Sequence, residues 1–145
     1  MSERVVRPSA ERLAGRLRVV EARADTTSAA RLRSLATDEI RPVRVWVARN
    51  DNTPPDALDL LARDPDEIVR WYALLHPRTP SSALEWLADE ENRRYGGRWF
   101  LVRDRVVHHP NAPEPLRRSL LRAGACRTCS PTCPGWRVMD RSAAG

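Results

Sequence analysis

Three cysteines in the last fifth of the chain have the spacing most suggestive of chemistry. Cys126, Cys129 and Cys133 stand in the run CRTCSPTCP, separated by two and then three residues. Thiolates spaced this way on irregular backbone can converge on a zinc ion or an iron–sulfur cluster. A three-iron cluster needs only these three ligands, whereas other sites take a fourth from a partner or from one of three residues: His108, His109 and Asp140. The alternative is a disordered tail with three free thiols, and both interpretations stand.

The three histidines fit a structural role better than catalysis. His76 precedes Pro77, and His108 and His109 precede Pro110, which is typical of the turn after a short helix. No Ser, Cys or carboxylate pair lies in a recognisable catalytic motif, and no Gly-rich phosphate loop is present. We therefore predict that the protein is not an enzyme.

The length and hydropathy of the chain indicate one domain. Its 145 residues suit a single core or a stack of small repeats. No apolar stretch approaches the roughly 20 residues that would span a bilayer, and the N-terminal segment is charged where a signal peptide is apolar. We therefore expect a cytoplasmic protein without a membrane partner. The cytoplasm keeps thiols reduced and the number of cysteines is odd, so a disulfide framework is not expected.

All 25 basic residues are arginine, and the formal net charge is +6. Arginine suits bidentate contacts with phosphates and carboxylates, but a GC-rich coding bias would produce the same composition without a functional cause. The 19 acidic residues are spread along the chain, so the charge does not form one clear nucleic-acid-binding surface.

A repeat of 26 residues organises most of the chain. Residues 43–68 align with the segment that begins at residue 69, and the matches continue backwards into residues 17–42 and forwards into 102–124. Residues shared by the second and third units are Val43 and Val69, Arg44 and Arg70, Thr53-Pro54 and Thr79-Pro80, Leu58 and Leu84, and Leu61-Ala62 and Leu87-Ala88. The third unit, residues 69–101, has seven extra residues. About four stacked units are therefore expected, with an N-terminal helical cap or arm at residues 1–16 and a Cys-containing tail at 125–145.

Each unit carries the signals of a helix pair. The Thr-Pro sequence predicts a helix beginning at Thr53 and at Thr79, with the threonine hydroxyl as its cap and proline in the first turn. Leu58, Leu61 and Ala62 then follow the spacing of one buried face. Residues 43–48 are too few for a regular helix, which favours a 3₁₀ or single-turn helix there.

These motifs resemble the variant leucine-rich repeats, which share a Val-Arg start, a Thr-Pro helix entry and a Leu-x-x-Leu-Ala helix followed by Asp-Pro. The resemblance covers residues 17–124 and is best in the second unit. It implies an all-α fold, a right-handed α-solenoid of alternating α- and 3₁₀-helices similar to HEAT repeats. Some members of the family carry an iron–sulfur module, although on the N-terminal side.

Two columns of equivalent residues are candidates for surface features. The first, which we name the Arg column, comprises Arg18, Arg44, Arg70 and Arg103. It is either a ridge that binds phosphates or an acidic partner, or one side of an internal ladder with Asp38, Asp64 and Glu90, and we favour the ladder. The second column holds Trp46 and Tyr72, with Trp71 and Trp86 nearby, and we expect these aromatic residues to lie in the core.

The extra residues of the third unit form the candidate binding site for a partner. They combine arginine with large apolar groups, the types that dominate interface hot spots, and the residues concerned are Arg94, Tyr95, Arg98, Trp99 and Phe100. The leading hypothesis is a protein-binding adaptor. Its alternatives are a nucleic-acid-binding solenoid that uses the Arg column, and an iron–sulfur or zinc protein with a redox or sensing role.

Overall fold

The structure is a computed structural model that describes residues 9–95 and 100–126. In these residues it contains eight α-helices and no strand. The helices are α1 (Ser9–Arg23), α2 (Ala29–Leu35), α3 (Arg41–Arg49), α4 (Pro55–Leu61), α5 (Glu67–Leu75), α6 (Ser81–Tyr95), α7 (Phe100–His108) and α8 (Glu114–Arg122).

The helices form two layers that enclose one core. The odd-numbered helices α1, α3, α5 and α7 contact one another in succession, and α2, α4 and α6 do the same in the second layer. The apolar face of each helix points to the space between the layers, where Val43, Leu61, Val69 and Leu87 are fully buried. Each of the helices α1 to α7 therefore packs on an equivalent helix of a neighbouring unit, as expected for a stack of repeats, while α8 packs on α7.

The first helix of each unit is a regular α-helix, so the prediction of a 3₁₀ or single-turn helix at residues 43–48 was wrong. α3 and α5 each have nine residues, and α2 and α4 have seven. Compared with the expected residues 43–48, α3 gains two residues at its N-terminal end, where Pro42 stands in the first turn, and Arg49 at its C-terminal end. In the next unit, Asp66 caps α5. Packing between two neighbouring helices stabilises a helix that would be too short in isolation.

The Thr-Pro signal marks the helix entry, but the threonine does not cap the helix. α4 begins at Pro55, and the Thr53 hydroxyl donates backwards to the carbonyl of Val47, at 2.6 Å. Thr27 donates in the same way to the carbonyl of Glu21, at 2.5 Å, and Thr79 to that of Ala73. Burial explains this choice, because a buried hydroxyl needs a partner. The carbonyl at the end of the preceding helix already accepts one backbone N–H, and its second lone pair accepts the hydroxyl.

The third unit and the two ends of the described chain depart from the regular pattern. α6 has 15 residues, because the extra residues of the third unit begin with helix formers and continue the helix as far as Tyr95. α1 runs through residues 16 and 17 without a break, and Gly124, with φ of +90°, ends α8. Ala125 and Cys126 are buried, so the body of the protein extends slightly past the expected end of the solenoid.

Candidate functional site

The Arg column contributes to an internal network. The Arg18 Nε atom lies 2.6 Å from an Asp38 carboxylate oxygen, and the Arg44 Nε atom lies 2.7 Å from that of Asp64. Each pair joins the first helix of a unit to the segment that follows the second helix of the same unit. Arg44 also donates to the backbone carbonyl of Asp38, at 2.8 Å, which ties its unit to the preceding one. The ladder interpretation predicted Arg–carboxylate pairs that tie each unit to the next. The observed pairs lie within one unit, and hydrogen bonds from arginine to backbone carbonyls join the units instead.

An exposed Arg ridge requires that all four guanidinium groups face solvent. The guanidinium group of Arg70 does not face solvent. Its residue surface is 2% exposed, and its Nη1 atom donates to the carbonyls of Asp64 and Pro65, at 3.0 and 3.1 Å. Arg44 is also largely buried by its contacts. Arg103 is half-buried and has an interaction of its own. The column is therefore a weak candidate for binding phosphate groups.

A second ladder of polar side chains joins the turns of successive units. The Asn50 amide donates to the carbonyl of Ala24, at 2.8 Å; His76 Nε2 lies 3.0 Å from the carbonyl of Asn50, and His109 Nε2 lies 2.9 Å from that of His76. We name these three side chains, Asn50, His76 and His109, the turn ladder. The sequence predicted that the histidines lie in turns, but it did not predict that they contact the preceding unit. The sequence feature that could have indicated this contact is that His76 occupies the position equivalent to Asn50.

The hydrogen bonds assign the tautomer of both ladder histidines. His76 Nδ1 accepts from the backbone N–H of Arg78, at 3.1 Å, and His109 Nδ1 accepts from that of Asn111, at 3.1 Å. The proton of the neutral ring is then on Nε2, which donates to the carbonyl of the preceding unit. Burial lowers the pKa of His76 and of His109, although the hydrogen bond to the carbonyl opposes the shift. Neutral imidazoles therefore hold neighbouring turns together.

The outward side of the odd-numbered helices forms a continuous, partly apolar surface, which we name the open face. None of its residues is fully buried, and Val20 and Leu75 are 65% and 41% exposed. The open face consists of Arg16, Val19, Val20 and Arg23 on α1, Pro42, Val45, Trp46 and Arg49 on α3, Ile68, Trp71, Tyr72 and Leu75 on α5, and Leu101, Asp104, Arg105 and His108 on α7. The aromatic residues of the open face were expected in the core, but they are half-buried at the edge of the core.

Arginine side chains stack on the aromatic rings of the open face. The guanidinium carbon of Arg23 lies 4.9 Å from the Trp46 ring centroid, and that of Arg49 lies 4.3 Å from the same centroid. Arg49 also lies 4.8 Å from the centroid of Tyr72. These distances are within the range of cation–π attraction, so the stack connects α1, α3 and α5 across the surface.

The even-numbered helices present a different surface. Several exposed arginines on or next to these helices pair with carboxylates, as in Arg33–Asp56 and Arg63–Asp59, at 2.7 and 3.4 Å. The pair Arg118–Glu114 repeats the arrangement on α8. Among the described residues, several exposed arginines of this layer are therefore held in surface ion pairs.

Cys126 is the candidate metal ligand that the structure describes. Its Sγ atom lies 2.9 Å from His108 Nε2, and its backbone N–H donates to an Asp104 carboxylate oxygen, at 2.6 Å. Burial lowers the pKa of His108, while the Asp104 carboxylate acts in the opposite direction. Within residues 9–95 and 100–126, no cluster of three or more potential ligands occurs.

Several predicted site residues lie outside the described part of the chain. Cys129 and Cys133 fall after residue 126, and Arg98 and Trp99 fall between residues 95 and 100. Arg94 and Tyr95 are in α6 and Phe100 begins α7, but their side chains are not described. None of the described helices has the length and apolar character needed to cross a bilayer.

Comparison with known proteins confirms the resemblance in the second unit. Residues 41–66 match the family model described as leucine rich repeat variant. This range coincides with α3, α4 and the segments that follow each helix. No curated protein and no solved structure matches the chain. The protein therefore carries, at residues 41–66, a repeat of the leucine rich repeat variant, a family of helical repeats.

Proposed function

We propose that this protein is a non-enzymatic adaptor of the cytoplasm that binds another protein through the open face. The observation that carries the proposal is the exposed apolar and aromatic surface of the odd-numbered helices, with Val20, Trp46, Tyr72 and Leu75 side by side. Surfaces of this kind mark interaction sites on soluble domains, and aromatic residues and arginine dominate binding energy at interfaces. The extra residues from Arg94 to Phe100 directly precede Leu101 of the open face in the sequence, and we propose them as further contacts of the partner.

The scaffold that presents this face is, we infer, a right-handed solenoid of four units. The helix pairs α1–α2, α3–α4, α5–α6 and α7–α8 support the number of units. The handedness rests on the resemblance to the variant leucine-rich repeats. A nucleic-acid partner is less well supported, because Arg44 and Arg70 are occupied inside the protein.

Site-specific photo-crosslinking tests the adaptor function. A photoreactive phenylalanine analogue is placed at Leu75 on the open face or, as a control of similar exposure, at Leu60 on α4. We expect discrete protein adducts from Leu75 in extracts of the native cell, resistant to nuclease, and few from Leu60. Equal adducts from both positions, or adducts from Leu60 alone, would contradict the assignment of the open face.

We propose as a second function that Cys126, Cys129 and Cys133 bind zinc or an iron–sulfur cluster, with His108 as the fourth ligand. The contact between Cys126 Sγ and His108 Nε2 favours this proposal, because thiolate and imidazole already lie 2.9 Å apart. Tetrahedral zinc would separate the two atoms by about 3.6 Å, so a small side-chain movement would admit the metal. The described pair, Cys126 and His108, is therefore close enough to share one metal, and a site completed by Cys129 and Cys133 would serve a redox or sensing role.

Metal analysis of protein purified without oxygen tests the second function. We expect about one equivalent of zinc, or of an iron–sulfur cluster with broad visible absorption, and thiols that resist alkylation until the metal is removed. Cys126→Ala and His108→Ala should each lower the metal content. His109→Asn, which keeps the donor and acceptor of the turn ladder, is the control and should leave the metal content unchanged. Protein that carries essentially no zinc or iron as purified, together with rapid alkylation of all three thiols, would contradict the proposal.

A further inference from the structure

Within the described residues, the arginines of the open face differ from Arg33, Arg63 and Arg118 of the other layer, which pair with carboxylates. The open face carries four arginines, Arg16, Arg23, Arg49 and Arg105, and one acidic residue, Asp104. Among residues 9–95 and 100–126, none of these four arginines forms an ion pair. The Asp104 carboxylate accepts the backbone N–H of Cys126. The surface therefore has an excess of positive charge next to its exposed apolar side chains.

Stacking on Trp46 and Tyr72 holds two of these arginines in defined positions. Arg23 and Arg49 both lie over the Trp46 ring, at 4.9 and 4.3 Å, and Arg49 also reaches Tyr72. A guanidinium that stacks on a ring uses its flat side and leaves its N–H groups at the edge for other partners. These edges match the two oxygens of a carboxylate, and stacking reduces the side-chain entropy that such a contact would cost.

We propose that the open face binds an acidic amphipathic segment of a partner protein. Carboxylates of that segment pair with Arg23 and Arg49, and its apolar side chains pack on Val20, Trp46 and Tyr72. The inference rests on the proposed adaptor function and specifies its partner by charge complementarity. Phosphate groups would also suit the guanidinium edges, but a nucleic-acid backbone offers nothing to exposed aliphatic groups such as Val20 and Leu75.

A peptide selection followed by binding measurements tests this inference. Random peptides displayed on phage are selected on the full chain, and we expect enrichment of sequences that combine Asp or Glu with apolar residues. A selected peptide should then bind the double variant Arg23→Gln/Arg49→Gln about tenfold more weakly at about 150 mM salt. Arg33→Gln, which removes an arginine from α2 on the other layer, is the matched control and should leave affinity unchanged.

The remaining outcomes separate this inference from the function on which it rests. The selected peptides could instead be apolar without acidic enrichment, bind the double variant normally and fail to bind Trp46→Ala. That outcome would contradict an acidic partner segment and would leave the adaptor function supported. No selected peptide together with no crosslink at Leu75 would overturn both. A single-stranded DNA oligonucleotide that binds more tightly than any selected peptide, and loses affinity in the double variant, would replace the acidic protein with nucleic acid.

Discussion

Leu60 and Leu61 are neighbours on α4 with opposite surroundings. Leu61 is 1% exposed and packs between the layers, while Leu60 is 47% exposed. The repeat alignment predicts this difference, because Leu61 shares its column with Leu87 and both follow the apolar spacing of the helix. The side-chain environment of such residues is predictable from sequence, since each unit presents the same face to the same core.

Truncating these two leucines tests the position of the core at single-residue resolution. We expect Leu61→Ala to lower the free energy of unfolding by about 2 to 5 kcal/mol, because it removes buried apolar surface and leaves a cavity. Leu60→Ala should change it by less than about 0.5 kcal/mol, as for most surface substitutions. Urea denaturation of both variants measures the difference. Equal losses would contradict the burial that separates the two positions.

Polar residues are harder to place from sequence than the apolar core. The Thr-Pro sequence located the helix entries to within two residues, but the direction in which Thr53 donates depends on the carbonyl of Val47 in the preceding helix. Similarly, the open face and the turn ladder result from contacts between units, which the spacing inside a single unit does not reveal. Local patterns predict elements, and the partners of polar groups follow only when the elements are packed.

The turn ladder predicts that stability falls in mild acid. An unperturbed histidine has a pKa of about 6.5, and burial lowers the pKa of His76 and His109 below that value. The folded state therefore binds fewer protons than the unfolded state at mildly acidic pH. Stability from these residues is complete above about pH 6.5 and decreases as the pH falls towards their folded-state pKa values. Urea denaturation between pH 7 and 5 should show this decrease.

Asparagine supplies the matched variant, because Asn50 occupies the equivalent position in the second unit and cannot titrate. His76→Asn/His109→Asn should keep the donor and the acceptor of each ladder position and show a smaller decrease between pH 7 and 5. Carboxylates such as Glu21, whose pKa is lowered by its hydrogen bond with Arg31, titrate only at lower pH. An unchanged decrease in the double variant would contradict the role of these histidines.

At the scale of the whole molecule, contacts between successive helix pairs recur at equivalent residues. The Arg column illustrates this recurrence, since Arg44 and Arg70 each donate to backbone carbonyls at the end of the preceding unit. The turn ladder also joins each unit to the preceding one, because each side chain forms a hydrogen bond with the carbonyl of the equivalent residue one unit earlier. The spacing of 26 residues, visible in the sequence, therefore predicts which units are neighbours. The residues that the stack exposes on the open face could be identified only from the structure.

Deleting residues 43–68 tests this modularity. The deletion joins Pro42 to Val69, so that Arg70 reaches the carbonyls that Arg44 contacts and His76 reaches that of Ala24. We expect a shorter folded helical protein with a smaller dependence of unfolding free energy on urea, since less surface is buried. Deleting residues 50–62 removes half a repeat and is the control out of register, which should lose helical circular dichroism because buried and exposed faces no longer align. Equal damage from both deletions would mean that the units do not stack as equivalents.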